Sequence, residues 1–175
     1  CMKPLPGERI DELFQDGYRI FQHEAEFAFS LDAVLLAHFA YIRPDSTAID
    51  LGTGTGVIPL LLASRGIAFV TGIELNRHLV DMARRSVVLN ELTGKIRILA
   101  GDYRDMRALL PEIGAGSADL VIANPPYRPV GAGKQNSLHS IAAARHELTA
   151  SLTEVVKAAA FWTKYRGRFA MVHLP

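Results

Sequence analysis

Cysteine is almost missing from this 175-residue chain: Cys1 is the only one. That excludes an internal disulfide and any metal site built on cysteines. No uninterrupted apolar run is long enough to cross a membrane, and the N-terminus lacks the apolar stretch of a secretion signal. An excess of one charge is missing too. A formal net charge of +1 does not mark the chain as a nucleic-acid binder, nor does it exclude one carrying a local basic patch. With 49% hydrophobic residues the chain has enough apolar surface to close a single core. These absences point to a globular protein without a cysteine-built metal site, expected in the cytoplasm.

What is present centres on Ala48 to Pro59. Ala48, Ile49 and Leu51 form a short apolar run of the kind that makes a buried strand, and it breaks into Gly52, Gly54 and Gly56 before a helix begins. Pro59 suits a first helical turn, where its missing N–H has no intrahelical partner to lose. Glycines at alternate positions remove side chains where strand becomes helix, so a ligand can lie against backbone. A dinucleotide fingerprint would need its third glycine at position 57, which is Val57, and no Gly-Lys-Ser/Thr follows to cradle phosphates. The remaining pattern, Asp-x-Gly-x-Gly-x-Gly from Asp50 to Gly56, resembles motif I of the class I S-adenosylmethionine methyltransferases. Without a ligand the same pattern would be a plain glycine-rich turn.

Further acids follow at strand ends. Phe69 to Ile73 reads as a strand ending at Glu74, close to the spacing of about 20 residues at which an acid accepts ribose hydroxyls. Asn76 caps a helix from Arg77 to about Leu89, whose basic residues read as a solvated face. Ile96 to Ala100 is a third strand, and Asp102 beyond it is placed to accept from an adenine amino group. Three acids at three successive strand ends (Asp50, Glu74 and Asp102) outline a phosphate-free adenosine ligand, which is the description of S-adenosylmethionine.

Other segments are less explicit. Glu8 to Phe14 reads as a short helix and Tyr18 to about Gln22 as a strand. Ser30 is a candidate N-cap for a helix whose buried face would carry Leu31, Val34, Leu35, His38, Phe39 and Ile42, with His38 packed in the core. Arg104 to Leu110 reads as a short helix and Asp119 to Ala123 as a fourth strand. Residues 128–147 carry little apolar periodicity and read as a loop at the mouth of the site. Ser151-x-x-Glu154 matches a capping box that opens a helix to about Tyr165, with Leu152, Val155, Val156, Ala159 and Trp162 facing the core and Gly167 as its stop. Arg168 to Leu174 is a fifth strand.

Strand and helix alternating in this way imply an α/β fold with a mostly parallel sheet and helices on both faces. Residues 1–45 would form a cap packed on a cofactor-binding core at 46–175. Class I methyltransferases normally add two strands after the fifth, so the chain reads as truncated there, with an exposed strand edge open to self-association.

The fourth strand ends in Asn124-Pro125-Pro126-Tyr127. This resembles motif IV of methyltransferases acting on planar nitrogens: adenine N6, cytosine N4 and glutamine N5. Such a nitrogen shares its lone pair with a ring or carbonyl and is a poor nucleophile until that conjugation is disturbed. The Asn124 side-chain oxygen and the Pro125 carbonyl would accept its two N–H groups and aim the lone pair at the methyl, while Tyr127 offers a face for a flipped base. No metal is needed.

The segments Glu8 to Leu13, Phe29 to Ala37 and Ala144 to Glu147 resemble the bacterial tRNA adenine-N6 methyltransferase family, which modifies an adenine beside the anticodon of a valine tRNA. The resemblance implies a Rossmann-like fold and cofactor contacts from Asp50, Gly52, Thr53, Gly54, Gly56, Glu74, Leu75, Asp102, Tyr103 and Asn124, with S-adenosyl-L-homocysteine as product. It also implies catalytic roles for Asn124, Pro125 and Tyr127, and a tRNA contact surface including Pro126, Arg128, Lys134, Arg145 and His146. By the same resemblance Ser30 and Asp32 border the cofactor. Two alternatives stay open at this point: glutamine N5 methylation of a release factor, and a cofactor- or RNA-binding module without turnover.

Overall fold

Short apolar runs suit a strand covered on both sides, and β3 (Thr47–Leu51), with Ala48, Ile49 and Leu51 all buried, is such a strand. A computed structural model describes residues 3–13, 17–24, 29–125 and 152–173. In it β3 lies at the centre of a five-stranded sheet ordered β5-β4-β3-β6-β7, formed with β4 (Phe69–Glu74), β5 (Ile96–Ala100), β6 (Ala118–Ala123) and β7 (Thr163–Met171). Every neighbouring pair in this sheet is parallel.

The period-two alternation of the strands divides the core in two. Ala48, Leu120 and Ile122 face a layer made by α1 (Leu31–Phe39), α2 (Val57–Ser64) and α3 (Arg77–Leu89). Ile49, Leu51 and Val121 face the other way, against α4 (Met106–Leu109) and α5 (Leu152–Trp162). From β3 the chain steps outward through β4 and β5, then returns to β6 on the opposite side of β3. That reversal opens a crevice between the carboxyl ends of β3 and β6, where Leu51 lies opposite Ala123.

Several local expectations are corrected. Glu8 to Phe14 is not a helix: β1 (Glu8–Glu12) pairs antiparallel with β2 (Arg19–His23), from Glu8 opposite His23 to Glu12 opposite Arg19. So few residues cannot sustain a helix alone, whereas a hairpin satisfies their backbone groups at once. The hairpin is pinned to α3. Arg85 donates to both carboxylate oxygens of Glu8 at 2.8 and 2.5 Å and lies over the Phe21 ring at 4.4 Å, and the Phe21 N–H donates to the Ser86 hydroxyl at 2.9 Å.

Helix α1 starts where Ser30 implied, with the Ser30 hydroxyl accepting from the Ala33 N–H. Its fully buried residues are instead Ala33, Leu36 and Ala37, with Val34 and Ile42 partly buried against the same core, while Leu31, Leu35 and Phe39 are exposed. Apolar residues surround this helix on nearly every side, so periodicity alone could not choose a face. His38 is exposed as well, with its Nδ1 on the Val34 carbonyl at 2.8 Å, and is no core residue. In α5 the buried residues are Val155, Ala158, Ala159 and Trp162, with Leu152 and Val156 outside. The short helix after β5 covers only Met106–Leu109, capped by Asp105.

The end of α5 differs too. It passes into β7 directly at Thr163, and the ladder shifts register between Ala118 and Leu120, whose partners are Thr163 and Arg168. Residues 164–167 form the resulting bulge, with Arg166 at φ 60°. Gly167 is therefore no helix stop. A Cβ there would lie 2.5 Å from Thr163 Cγ2, 2.9 Å from the Lys164 carbonyl oxygen and 3.0 Å from that of Ala118. Ser151, Leu174 and residues 128–147 fall outside the described residues.

Candidate active site

The carboxyl ends of four strands meet at one cavity of about 180 Å³. Leu51 and Gly52 reach it from β3, Glu74 and Leu75 from β4, Asp102, Tyr103 and Arg104 from the segment after β5, and Asn124 and Pro125 from the end of β6. Two stretches widely separated in sequence thus share a wall because their strands are neighbours in the sheet.

The glycine turn is held by backbone bonds. The N–H groups of Gly52 and Thr53 both donate to the Ile73 carbonyl at 2.9 Å, and Gly56 N–H closes back on Thr53 at 3.0 Å. Gly52 and Gly54 adopt φ of 75° and 58°, a conformation that side chains other than glycine resist. A Cβ on Gly54 would meet nothing within 4 Å, and one on Gly52 only Tyr103 Cε1 at 3.8 Å, so open space lies before both. Gly56 instead serves packing, because its missing Cβ lets α2 approach Ala83 of α3, which a side chain would reach at 3.3 Å.

Beneath this turn Asp50 is fully buried, and neither carboxylate oxygen has a hydrogen-bond partner. Burial pushes its pKa up to about 7. The nearby Thr53 hydroxyl, which makes no hydrogen bond of good geometry, offsets part of the rise, and the negative charge of Glu74 adds to it. An unpartnered buried acid under a left-handed glycine turn fits a cationic ligand above it.

Glu74 accepts from the Gly54 N–H through Oε2 and from the Asn76 N–H through Oε1, both at 2.9 Å. It thereby ties the glycine turn to the start of α3, while still lining the cavity. Asp102 is more committed than expected. Arg104 forks onto it through Nε and Nη2, at distances of 2.6 to 2.9 Å, and adds its own backbone N–H. Those hydrogen bonds hold the Asp102 carboxyl below the ordinary carboxylate range. Tyr103 is half-buried, and burial pushes its phenol up to about 12, so it stays neutral.

At the end of β6 the Asn124 side chain donates from Nδ2 to the Ser30 hydroxyl at 3.2 Å. Pro126, Tyr127, Arg128, Lys134, Arg145 and His146 lie outside the described residues. Among the described residues no group of three or more His, Cys, Asp or Glu could hold a metal ion, and no helix is long and apolar enough to cross a membrane.

The structure adds residues that the sequence left silent. Arg104 lines the cavity although its position suggested only a helix start. Gln22 of β2 is buried, and its amide nitrogen donates to the Thr55 hydroxyl at 2.9 Å, so the hairpin holds the glycine turn from behind. A glutamine following the apolar pair Ile20 and Phe21 was the available signal for the second.

The family model described as methyltransferase small domain matches residues 30–159. A tRNA1(Val) (adenine(37)-N6)-methyltransferase from Porphyromonas gingivalis is 33% identical over 150 residues, covering 81% of this chain and 56% of the relative. The protein of the same name from Aeromonas salmonicida is 31% identical over 117 residues, covering 66% of this chain and 46% of its own. This chain spans about half the length of the curated relatives it matches. Among solved structures, P. horikoshii TYW2 in complex with MeSAdo superposes with a TM-score of 0.57 at 19% identity, over 89% of this chain and 48% of that one, a likeness of fold.

Proposed function

The chain belongs to the methyltransferase small domain family, and from that premise we propose that it transfers a methyl group from S-adenosyl-L-methionine to the exocyclic N6 of an adenine in RNA, with a tRNA near its anticodon as substrate. One observation carries this reading. The pairing of Leu51 with Ala123 brings the glycine turn and Asn124-Pro125 onto the same cavity, so a cofactor site and an acceptor pair for a planar nitrogen share one space. The choice of adenine and tRNA is supported by the names of the relatives.

In this reading Gly52 and Gly54 leave the floor open, Asp50 provides the buried negative charge, and Glu74, Leu75, Asp102 and Tyr103 form the wall around the adenosine end. When bound, S-adenosylmethionine supplies a sulfonium methyl: the nitrogen lone pair forms the new N–C bond, the C–S pair returns to sulfur, and the nitrogen's proton passes to solvent. The chain's own work is positioning. Asn124 Oδ1 and the Pro125 carbonyl accept the two N–H groups of the amine, drawing its lone pair out of conjugation. The reaction needs no metal, and an RNA substrate suits a protein of the cytoplasm.

The test is label transfer from methyl-labelled S-adenosylmethionine into a mixture of total tRNA and release factors, with Asn124→Ala as control. Label recovered as N6-methyladenosine, and lost in the control, is the expected result. Label in a release factor would overturn the substrate while keeping the site. Cofactor binding without label in either would overturn the enzymatic reading in favour of a binding role.

A further inference from the structure

A buried glutamine costs stability unless both ends of its amide are satisfied. Gln22 of β2 is fully buried, and only one end has a partner: Nε2 donates to the Thr55 hydroxyl at 2.9 Å, while Oε1 has none. Turning the amide over leaves this count unchanged, because a threonine hydroxyl can donate as well as accept. In either orientation one amide atom bonds Thr55 and the other is stranded. An apolar side chain would fill the same space without that cost, so stability alone does not account for a glutamine here.

What the contact holds is the glycine turn. Gly52, Gly54 and Gly56 stand at φ of 75°, 58° and 91°, and glycines at alternate positions give a chain many conformations to lose on ordering. The turn carries two side chains, Thr53 and Thr55. The Thr53 hydroxyl makes no hydrogen bond of good geometry, so the Thr55–Gln22 contact is the one side-chain hydrogen bond of the turn among the described residues. The backbone N–H groups of Gly52 and Thr53 reach Ile73, and that of Gly54 reaches Glu74, both in β4. Gln22 tethers the turn from a different element. Its place is fixed through Phe21, whose N–H donates to the Ser86 hydroxyl at 2.9 Å and whose ring lies under Arg85 at 4.4 Å, both on α3. Neither Gln22 nor Thr55 lines the cavity.

We propose that Gln22 is a positioning residue for the cofactor, its hydrogen bond to Thr55 holding the glycine turn in the left-handed conformation that leaves Gly52 and Gly54 open to the ligand. This rests on the methyl-transfer reading above and extends the site to the β1–β2 hairpin. Gln22 acts through Thr55 and lies outside the cavity. A turn that is already ordered has less freedom to lose when a ligand settles on it, so the contact acts on affinity.

Gln22→Leu/Thr55→Val replaces both partners with apolar groups and strands neither. In the full chain, calorimetric titration with S-adenosylhomocysteine should give a Kd weakened about fivefold in this double variant, the equivalent of one neutral buried hydrogen bond. Urea unfolding should place its stability closer to wild type than that of Thr55→Val, and amide hydrogen exchange of residues 52–56 in the ligand-free protein should be faster than in wild type. Thr55→Ser, which keeps the hydroxyl, should bind as wild type does. Gly167→Ala, strained at the distant β7 bulge, controls for a general loss of stability, and its Kd should match wild type. An unchanged Kd in the double variant overturns the proposal, as does unchanged exchange of the turn. A Kd weakened equally in Gly167→Ala also overturns it, because stability and not turn geometry would then be the cause. Wild-type chain that fails to bind S-adenosylhomocysteine would overturn the methyl-transfer reading itself, whereas the exchange comparison decides the Gln22 contact without any ligand, so failure of the two can be told apart.

Discussion

Replacing Asp50 by asparagine should change how stability responds to pH, in a direction set by its burial. Asp50 is fully buried with both oxygens unpartnered, and its pKa is pushed up to about 7. In the unfolded chain an aspartate titrates near 3.9. The folded state therefore binds the proton more tightly than the unfolded state. The stability this contributes is fully present below about pH 4 and is lost as pH rises to about 7. A shift of about three units corresponds to roughly 4 kcal/mol over that window, taken as an order of magnitude.

Other carboxyls pull the other way. Glu8, Asp102 and Asp119 have lowered pKa values through their Arg85, Arg104 and Lys164 partners, and their contributions fade as pH falls. Wild type and Asp50→Asn share all three, so subtraction isolates Asp50. Urea unfolding from pH 5 to 9 should show Asp50→Asn gaining on wild type by a few kcal/mol as pH rises, with the gain levelling above about pH 7. Affinity for cationic S-adenosylmethionine should run in parallel, strengthening as pH rises through about 7 in wild type and staying flat in the variant. A stability difference that does not vary with pH would refute the argument, because it would mean that Asp50 is paired or hydrated.

Further outcomes follow from contacts elsewhere. Gly167→Ala should destabilise by about 1–3 kcal/mol in urea unfolding, since its Cβ would press on two backbone carbonyl oxygens that have little room to move. Thr55→Val leaves the buried Gln22 amide nitrogen without its acceptor and should cost about 1–3 kcal/mol; the Gln22→Leu/Thr55→Val double variant should recover part of that loss, and a strictly additive double-mutant cycle would count against the contact. Arg85→Ala strands the Glu8 carboxylate, whose side chain is buried, and should cost about 3 kcal/mol, with early hydrogen exchange in the β1–β2 hairpin as its signature.

Much of the fold could be read from local pattern. The apolar run before Gly52 specified a covered strand, the alternation of strands and helices specified a parallel sheet, and Ser30 and Asn76 marked helix starts that the structure places where expected. The same holds for the acids at strand ends, because a βαβ unit delivers each strand's carboxyl end to the same edge of the sheet. Where a segment is short or apolar on all sides, local pattern was insufficient. Glu8–Glu12 became a strand because β2 lay beside it and Arg85 met Glu8, and α1 turned Ala33, Leu36 and Ala37 inward although Leu31, Leu35 and Phe39 looked the better core.

The site divides the same way. Sequence by itself singled out the candidates for chemistry: the glycines, Asp50, Glu74, Asp102 and the Asn124-Pro125 pair stand out by residue type and spacing. Only the tertiary structure decided what each of them faces. Strand order set Asn124 beside the glycine turn, the α1 cap placed the Ser30 hydroxyl against its amide, Arg104 claimed the Asp102 carboxylate, and enclosure without a partner raised the pKa of Asp50. Hydrogen bonds and desolvation act through space over a few ångströms, and contacts between residues as far apart as 30 and 124 exist only once the sheet has assembled.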